Sequence, residues 1–417
     1  MEAIRNLAER CWAGEFVGET IGLIQPTFQS EEIIKGFHFI HGFGNVSVLE
    51  TSEGLVLIDT GVFLTRSRIF KMVRAISEAP VHTAIYTHGH TDHAFGMPPF
   101  LEEAKEKGWP RPRIVGHKNV SARFDRYRRT RGYNGRINAR QFSVEGGVIW
   151  PEDYDYPDTI YTENLTIKVG QVILELHHAR GETDDHTWVW WPKKKTVFTG
   201  DQFIWVSPNA GNPQKVQRYP EEWAASLRAM TALAPELLIP GHGIPIFGAD
   251  RVRQALSETA EWLESLVKQT LEHMNAGETL DQILQEVKPP AHLAERPYLH
   301  PAYDDPEYVV RNVWRLYGGW YDGIPSHLKP APHAALAREV VSLAGGIDAL
   351  VLRAKALLKG GDLRLASHLI DWAVAAEPQN IVARDVRSEI YTERTQQSSA
   401  LMSKGVFGAV TRESKKN

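Results

Sequence analysis

The segment YTHGHTDHAFG places His88, His90, Asp92 and His93 within six residues, directly after the strand-like run VHTAIYTH. Imidazole nitrogen and carboxylate oxygen are the donors that hold divalent zinc, at about 2.0–2.2 Å. A loop leaving a strand can curl so that His88 and His90 reach one ion while Asp92 and His93 reach another. The plainer alternative is a polar loop that happens to be rich in histidine. It fits less well, because three histidines and an aspartate converge where a strand ends. Further donors recur at strand ends downstream. LHHARGETDDHT carries His177, His178, Glu182, Asp184, Asp185 and His186; VFTGDQF carries Asp201; LIPGHG carries His242. Asp201 reads as a carboxylate bridging two ions and His242 as the third ligand of the second. Asp92 and Asp201 are the candidate catalytic carboxylates.

Composition narrows the chemistry. The single cysteine, Cys11, excludes an internal disulfide framework and a cysteine metal cluster, so any metal site rests on histidine and carboxylate. A formal net charge of −4 argues against a dedicated nucleic-acid binder. The opening MEAIRNLAERCWAGEF lacks the basic head and apolar middle of a secretory signal. No stretch approaches the roughly 20 apolar residues of a membrane span, and a cytoplasmic protein is expected.

The elements that must position these residues change in texture near residue 250. FHFIHGFGNVSVLET with GLVLIDTG, then VHTAIYTH, LTIKVGQVILELHHA, HTWVWWP, KTVFTGD and ELLIPGHG read as strands. SRIFKMVRAISEA and EEWAASLRAMTALAP are helical between them. Two sheets with helices outside, an α/β sandwich, are expected. Beyond about Ala249, RVRQALSETAEWLESLVKQTLEHMNAG and the runs after it carry helical periodicity only, including one tetratricopeptide-like pair in GGDLRLASHLIDWAVAAEPQN. The expected division is a catalytic domain over 1–250, a helical domain over 251–395 and a tail over 396–417, poorly ordered or wrapped on a partner.

The order of these motifs resembles the metallo-β-lactamase superfamily, which implies an αββα sandwich. Where most members carry a third histidine in a TPGHT-like turn, this chain reads ARGETDDHT, with Glu182 at that place and His186 as the rival. The glutamate is similar to that of the alkylsulfatase branch, although that branch tends to use a second glutamate where Asp201 stands. WRLYGGWYDGIPSHLKPAP and the helices after it resemble the alkylsulfatase dimerisation domain, with Trp320 and Tyr321 in a packed aromatic turn. The resemblance implies two zinc or other divalent ions on His88, His90, Asp92, His93, Glu182, Asp201 and His242, and a homodimer. It also implies a small-molecule substrate, an alkyl or related sulfate ester. A bridging hydroxide, its parent water brought from about 15.7 toward about 7, would attack to give alcohol and sulfate. Phosphoesters, lactones or other esters are the alternative, and a non-catalytic binding protein a third. Two departures bear on the substrate. The sterol-carrier-like domain usual in that branch does not follow, and a His-Asn pair upstream of GWYDG is replaced by Tyr308 and Val309.

Around the ligands, Asn209 and Arg218 are the candidate substrate contacts, with Asn212 and Lys215 beside them. The arginines of RFDRYRRTRGYNGRINAR (Arg123 to Arg140) suit sulfate oxygens, but a charge run is more often a solvated helix face. His117 and His178 read as structural or as partners of a ligating histidine. Trp188, Trp190 and Trp191 read as packing.

Overall fold

A computed structural model describes residues 3–16 and 25–415. Among them, one seven-stranded sheet runs in the order β1 (Ser30–Ile34), β2 (Phe37–Ile40), β3 (Val46–Thr51), β4 (Gly54–Ile58), β5 (Val81–Ile85), β6 (Arg113–His117) and β7 (Thr159–Tyr161). Pairing is antiparallel up to β4 and parallel from β4 to β7. The second, six-stranded sheet comprises β8 (Asn164–Val169), β9 (Val172–His178), β10 (Thr187–Trp191), β11 (Thr196–Gly200), β12 (Leu237–Pro240) and β13 (Ile246–Phe247). They lie in spatial order 13-12-11-10-9-8, with only β11–β12 parallel.

Both faces of each sheet are covered, so central strands read as continuous apolar runs. In β4, Val56 and Ile58 face the layer between the sheets, while Leu55 and Leu57 face the outer helices. In β10, Val189 and Trp191 join that same middle layer, and Trp188 and Trp190 point the other way. The period-two alternation of a strand, applied to an all-apolar sequence, thus builds two cores at once. The tryptophans are packing residues, as their strand context suggests.

Helices close the sandwich. α1 (Ile4–Trp12) sends Ile4, Ala8 and Cys11 into the middle layer. α2 (Arg66–Ile76), α3 (Pro98–Glu106) and α4 (Lys118–Arg129) cover the first sheet through Ile69, Val73, Phe100, Val120 and Phe124, and α5 (Arg131–Gln141) continues beyond them. α6 (Pro220–Ala232) covers the second sheet. The rest is helical: α7 (Ala249–Asn275), α8 (Leu280–Glu286), α9 (Pro306–Gly318), α10 (Pro325–Leu328), α11 (His333–Leu343), α12 (Ile347–Lys359), α13 (Leu363–Ala376), α14 (Ile381–Gln397) and α15 (Leu401–Lys415).

The change of texture near residue 250 is not a break in packing. One apolar cluster joins Trp188, Trp223 and Leu238 to Leu256, Leu263, Ile283 and Val313, so α7 to α9 rest directly on the second sheet. A separate cluster, from Leu350 to Ile390, holds the distal helices together. The last segment differs from the poorly ordered or partner-wrapped tail the sequence suggests. It is helix α15, seated in its own chain with Met402, Gly405 and Ala409 buried. A Cβ on Gly405 would lie 2.4 Å from the Gln141 carbonyl oxygen, so only glycine lets α15 approach the end of α5 this closely.

Candidate metal centre and cleft

The parallel pairs β4–β5 and β11–β12 release their chains at their carboxyl ends, where open α/β sheets gather functional loops. Asp59 follows β4, His88 to His93 follow β5, Asp201 follows β11 and His242 follows β12. The β9–β10 loop brings Glu182 into the same place. All seven sequence-derived donors converge, in two groups whose donor atoms lie within 4.8 Å of one another: His88, His90, Glu182 and Asp201; and Asp92, His93 and His242.

In the first group His88 Nε2 is 2.9 Å from His90 Nδ1 and 3.4 Å from Glu182 Oε2. In the second, His242 Nε2 is 3.2 Å from His93 Nε2 and 3.3 Å from Asp92 Oδ2. Asp201 lies between them, with Oδ1 3.2 Å from His93, Oδ2 3.3 Å from His242 and Oδ2 3.8 Å from His88. A Cβ on Gly241 would come within 2.2 Å of Asp201 Oδ1, so the glycine before His242 leaves room for the carboxylate.

This donor set fits divalent metal binding. Glu182 Oε2 and Asp201 Oδ1 are buried without a hydrogen-bond partner among the described residues, a costly arrangement unless something positive faces them. Three carboxylates crowd one pocket, and the histidines respond. Burial alone would strip the proton from His242, yet the Asp201 and Asp92 carboxylates outweigh it and push its pKa up to about 10. His93 rises well above its usual range for the same reason, burial being overcome by Asp201, Asp59 and Asp92. His90 goes the other way, to about 4, because burial dominates there over the pull of Glu182. Glu182 stays ionised against the cost of burial, held by His90 and Arg218, and Asp201 is held likewise by His242 and His93.

Supporting residues orient the donors, and the sequence reading overlooked the most important. Asp59 accepts from His93 Nδ1 at 2.8 Å, and from the Thr87 backbone N–H and hydroxyl at 2.8 Å each. It thereby turns His93 Nε2 toward the ion site. Its only signal was an aspartate closing the strand GLVLID. Asp185 accepts from Gly89 N–H and from Arg123 Nε, both at 2.9 Å, which clamps the histidine loop to α4. Arg123, one of the candidate sulfate arginines, is therefore a buried brace between α4 and Asp184 and Asp185. His186 does not join either donor group. Its Nε2 accepts the Asp201 N–H at 3.1 Å, and its ring stacks at 5.1 Å on His88. His117 and His178 stack on each other at 3.6 Å, away from the donors.

His90, Asp92, Glu182, Asp201 and His242 line a cavity of ≈ 370 Å³. Phe28, Phe43, Phe63, Leu64, Phe142 and Trp150 make an apolar wall, and Asn209, Lys215, Arg218 and Tyr303 bring polar groups. Asn209 Nδ2 and Arg218 Nη1 each donate to Glu182 Oε1 at 2.8 Å, so both candidate substrate contacts are tied to a candidate ligand. Asn212 faces Met402 Sδ of α15 at 3.0 Å. Lys215 Nζ reaches Asn138 Oδ1 at 3.2 Å, and burial, reinforced by Arg218, lowers its pKa to about 8. Tyr308 and Val309 face elsewhere: the tyrosine hydroxyl pairs with Ser403 Oγ at 2.7 Å, and the valine is core. Tyr303, which no motif flagged, lines the cavity and accepts from Gln141 Nε2 at 2.7 Å. The GWYDG turn lies outside the cleft. Trp320 is 69% exposed, so it is not the packed aromatic that its sequence suggests.

Two layers of helix around two sheets, with a histidine- and carboxylate-lined centre at the strand ends, define a metallo-β-lactamase-type protein. Residues 40–242 match the metallo-beta-lactamase superfamily, and residues 279–417 match the alkyl sulfatase dimerisation family. The chain thus joins a metallo-β-lactamase domain to an alkylsulfatase dimerisation domain. It is 26% identical over 369 residues to a linear primary-alkylsulfatase of a Pseudomonas strain, covering 82% of this chain and 69% of that protein. An alkyl/aryl-sulfatase of Saccharomyces cerevisiae is 25% identical, over 85% of this chain and 59% of that protein. The solved structure of a stereoselective inverting sec-alkylsulfatase from Pseudomonas sp. superposes with a TM-score of 0.84 at 23% identity, over 93% of this chain. This chain spans 65% of the length of that structure. Among the described residues no helix is long and apolar enough to cross a membrane.

Proposed function

We propose that this protein is a binuclear metal-dependent hydrolase of sulfate esters, giving an alcohol and inorganic sulfate. The observation that carries the proposal is the pair of donor groups meeting at Asp201, beside a largely apolar cavity. His88, His90 and Glu182 would hold one ion, Asp92, His93 and His242 the other, and Asp201 would bridge them. Two zinc or similar ions would supply Lewis acidity and a hydroxide nucleophile at neutral pH.

The chain's own residues account for the rest. Asp59, Thr87 and the Phe43 carbonyl fix the ring orientations of His93, His88 and His242, leaving one nitrogen of each for the centre. Lys215 supplies a half-buried cation whose charge suits the anionic head of a sulfate ester, and the aromatic wall suits its hydrocarbon part. Arg218 is committed through Nη1 to Glu182, so any contact with substrate would come from its remaining N–H groups. The names of the similar alkylsulfatases support this substrate class over phosphoesters or lactones, since the fold alone hosts many activities.

A panel of sodium dodecyl sulfate, nitrophenyl sulfate, a phosphodiester and a lactone tests the reading. Sulfate release far above the other rates is expected. A preference for the lactone or phosphodiester would transfer the same centre to the alternative ester class. The helical region is proposed to pair two copies of the chain, consistent with its family match and with the exposed Leu343, Leu352 and Ile381.

A further inference from the structure

We infer that the helical region governs the Glu182 side of the metal centre, by way of an Asn312–Arg218–Glu182 chain of hydrogen bonds. The inference rests on the proposed metal centre and adds a positioning role for residues outside the sandwich.

Asn312 on α9 grips the peptide of Arg218 at two points. Its Nδ2 donates to the Arg218 carbonyl at 2.9 Å, and its Oδ1 accepts the Arg218 N–H at 3.4 Å. Gln217 Nε2 closes the arrangement, donating to Asn312 Oδ1 at 2.9 Å and to the Arg218 carbonyl at 2.8 Å. Arg218, fixed in this way, donates through Nη1 to Glu182 Oε1 at 2.8 Å and also to the Asn209 carbonyl. Asn209 Nδ2 reaches the same Oε1. Asn312, Arg218 and Glu182 are all buried, so these bonds have little competition from water.

The same loop is fixed to the helices at two further places. A Cβ on Gly211 would lie 2.1 Å from the Tyr308 carbonyl carbon, so the loop and the start of α9 meet backbone to backbone. Asn212 contacts Met402 of α15. The segment from Asn209 to Arg218 is thus moulded by α9 and α15, although it belongs to the sandwich by sequence.

The chemistry explains why such support is needed. A glutamate brings a negative charge where a histidine would be neutral, and a free carboxylate can rotate either oxygen inward. With Oε1 tied by Arg218 and Asn209, Oε2 alone is turned to His88 and His90. The guanidinium also offsets the added charge. Removing Asn312 releases the arginine backbone, and the consequence falls on the first ion site, since the second draws on Asp92, His93 and His242.

The test is zinc retention in zinc-loaded full-length protein challenged with a graded chelator, read as equivalents per chain beside the melting temperature. Wild type is expected to release two equivalents in separable steps. Asn312→Ala and Arg218→Met should lose the first ten- to a hundredfold more readily, the range for partners of metal ligands, and keep the second as wild type does. Arg218→Lys, which keeps the charge, should recover part of the loss. Should Asn312→Ala fail to fold, Asn312→Ser carries the same expectation. Unchanged retention, or equal loss of both equivalents alongside a lower melting temperature, overturns the inference. Wild type holding less than one equivalent would instead overturn the metal centre itself.

Discussion

Replacing Asp59 by asparagine alters charge and proton inventory while keeping shape. Asp59 sits at φ +57°, in the left-handed region that asparagine tolerates well, so the backbone has no reason to move. The carboxylate now accepts three hydrogen bonds, from Thr87 N–H and the Thr87 hydroxyl and from His93 Nδ1. An amide cannot satisfy all of them. If its oxygen accepts from His93, its NH2 confronts the Thr87 N–H, leaving a buried donor unmet at a cost of about 1–3 kcal/mol. If it flips, the NH2 faces His93 Nδ1 and drives the proton to Nε2, the atom needed by the ion. Either way the second ion site weakens, by about 10–100-fold, or about 1.4–2.7 kcal/mol. Zinc competition against a fluorescent chelator measures the affinity, and thermal melting of the metal-free protein measures the fold. Asp59→Asn with unaltered zinc affinity and turnover would refute the assignment of Asp59 as the residue that fixes His93.

Three other outcomes are expected. The Lys215 charge is present below pH about 8 and lost above it, so KM for an anionic ester should be lowest below that pH and climb as pH rises through it. Because partial burial depresses this pKa, folding carries the cost of the partly buried charge below about 8 and is relieved of it as pH rises toward 10.5. Lys215→Met should therefore flatten the KM profile and raise the melting temperature at pH 7; a profile that keeps its shape in the variant removes Lys215 from anion binding. His186→Gln retains an acceptor for the Asp201 N–H and should keep both zinc equivalents, whereas Glu182→Gln should weaken one; the opposite ranking would restore His186 as the ligand. Light scattering at micromolar concentration should give twice the chain mass of 47.0 kDa, and a monomer at that concentration contradicts the pairing of helical regions.

What could be read in the sequence depended on how local the signal was. His88 to His93 lie in one loop, so residue type and spacing alone exposed them. Asp201 and His242 were legible because each closes a strand with a glycine turn. Asp59 has the same placement, but a lone aspartate after a strand is ordinary, and only the 2.8 Å contact with His93 distinguishes it. Arg123 misled for the converse reason: its neighbours in sequence are arginines, whereas its partners are Asp184 and Asp185 more than 60 residues away. The middle layer was legible as apolar strands, and the two-sided burial of β4 and β10 follows from alternation. The docking of α7 to α9 on the second sheet, and of α15 on α5, was not legible, because helical periodicity identifies an apolar face without naming what covers it.

The proposed hydrolysis requires a pair of cations joined by the Asp201 carboxylate. Elemental analysis of protein purified under zinc-replete conditions, beside its Asp201→Ala variant, addresses it directly. Two equivalents per chain, falling to one or fewer in the variant together with loss of sulfate release, is the expected result. A wild-type chain with less than one equivalent, or a variant that keeps both its metal and its turnover, would contradict it.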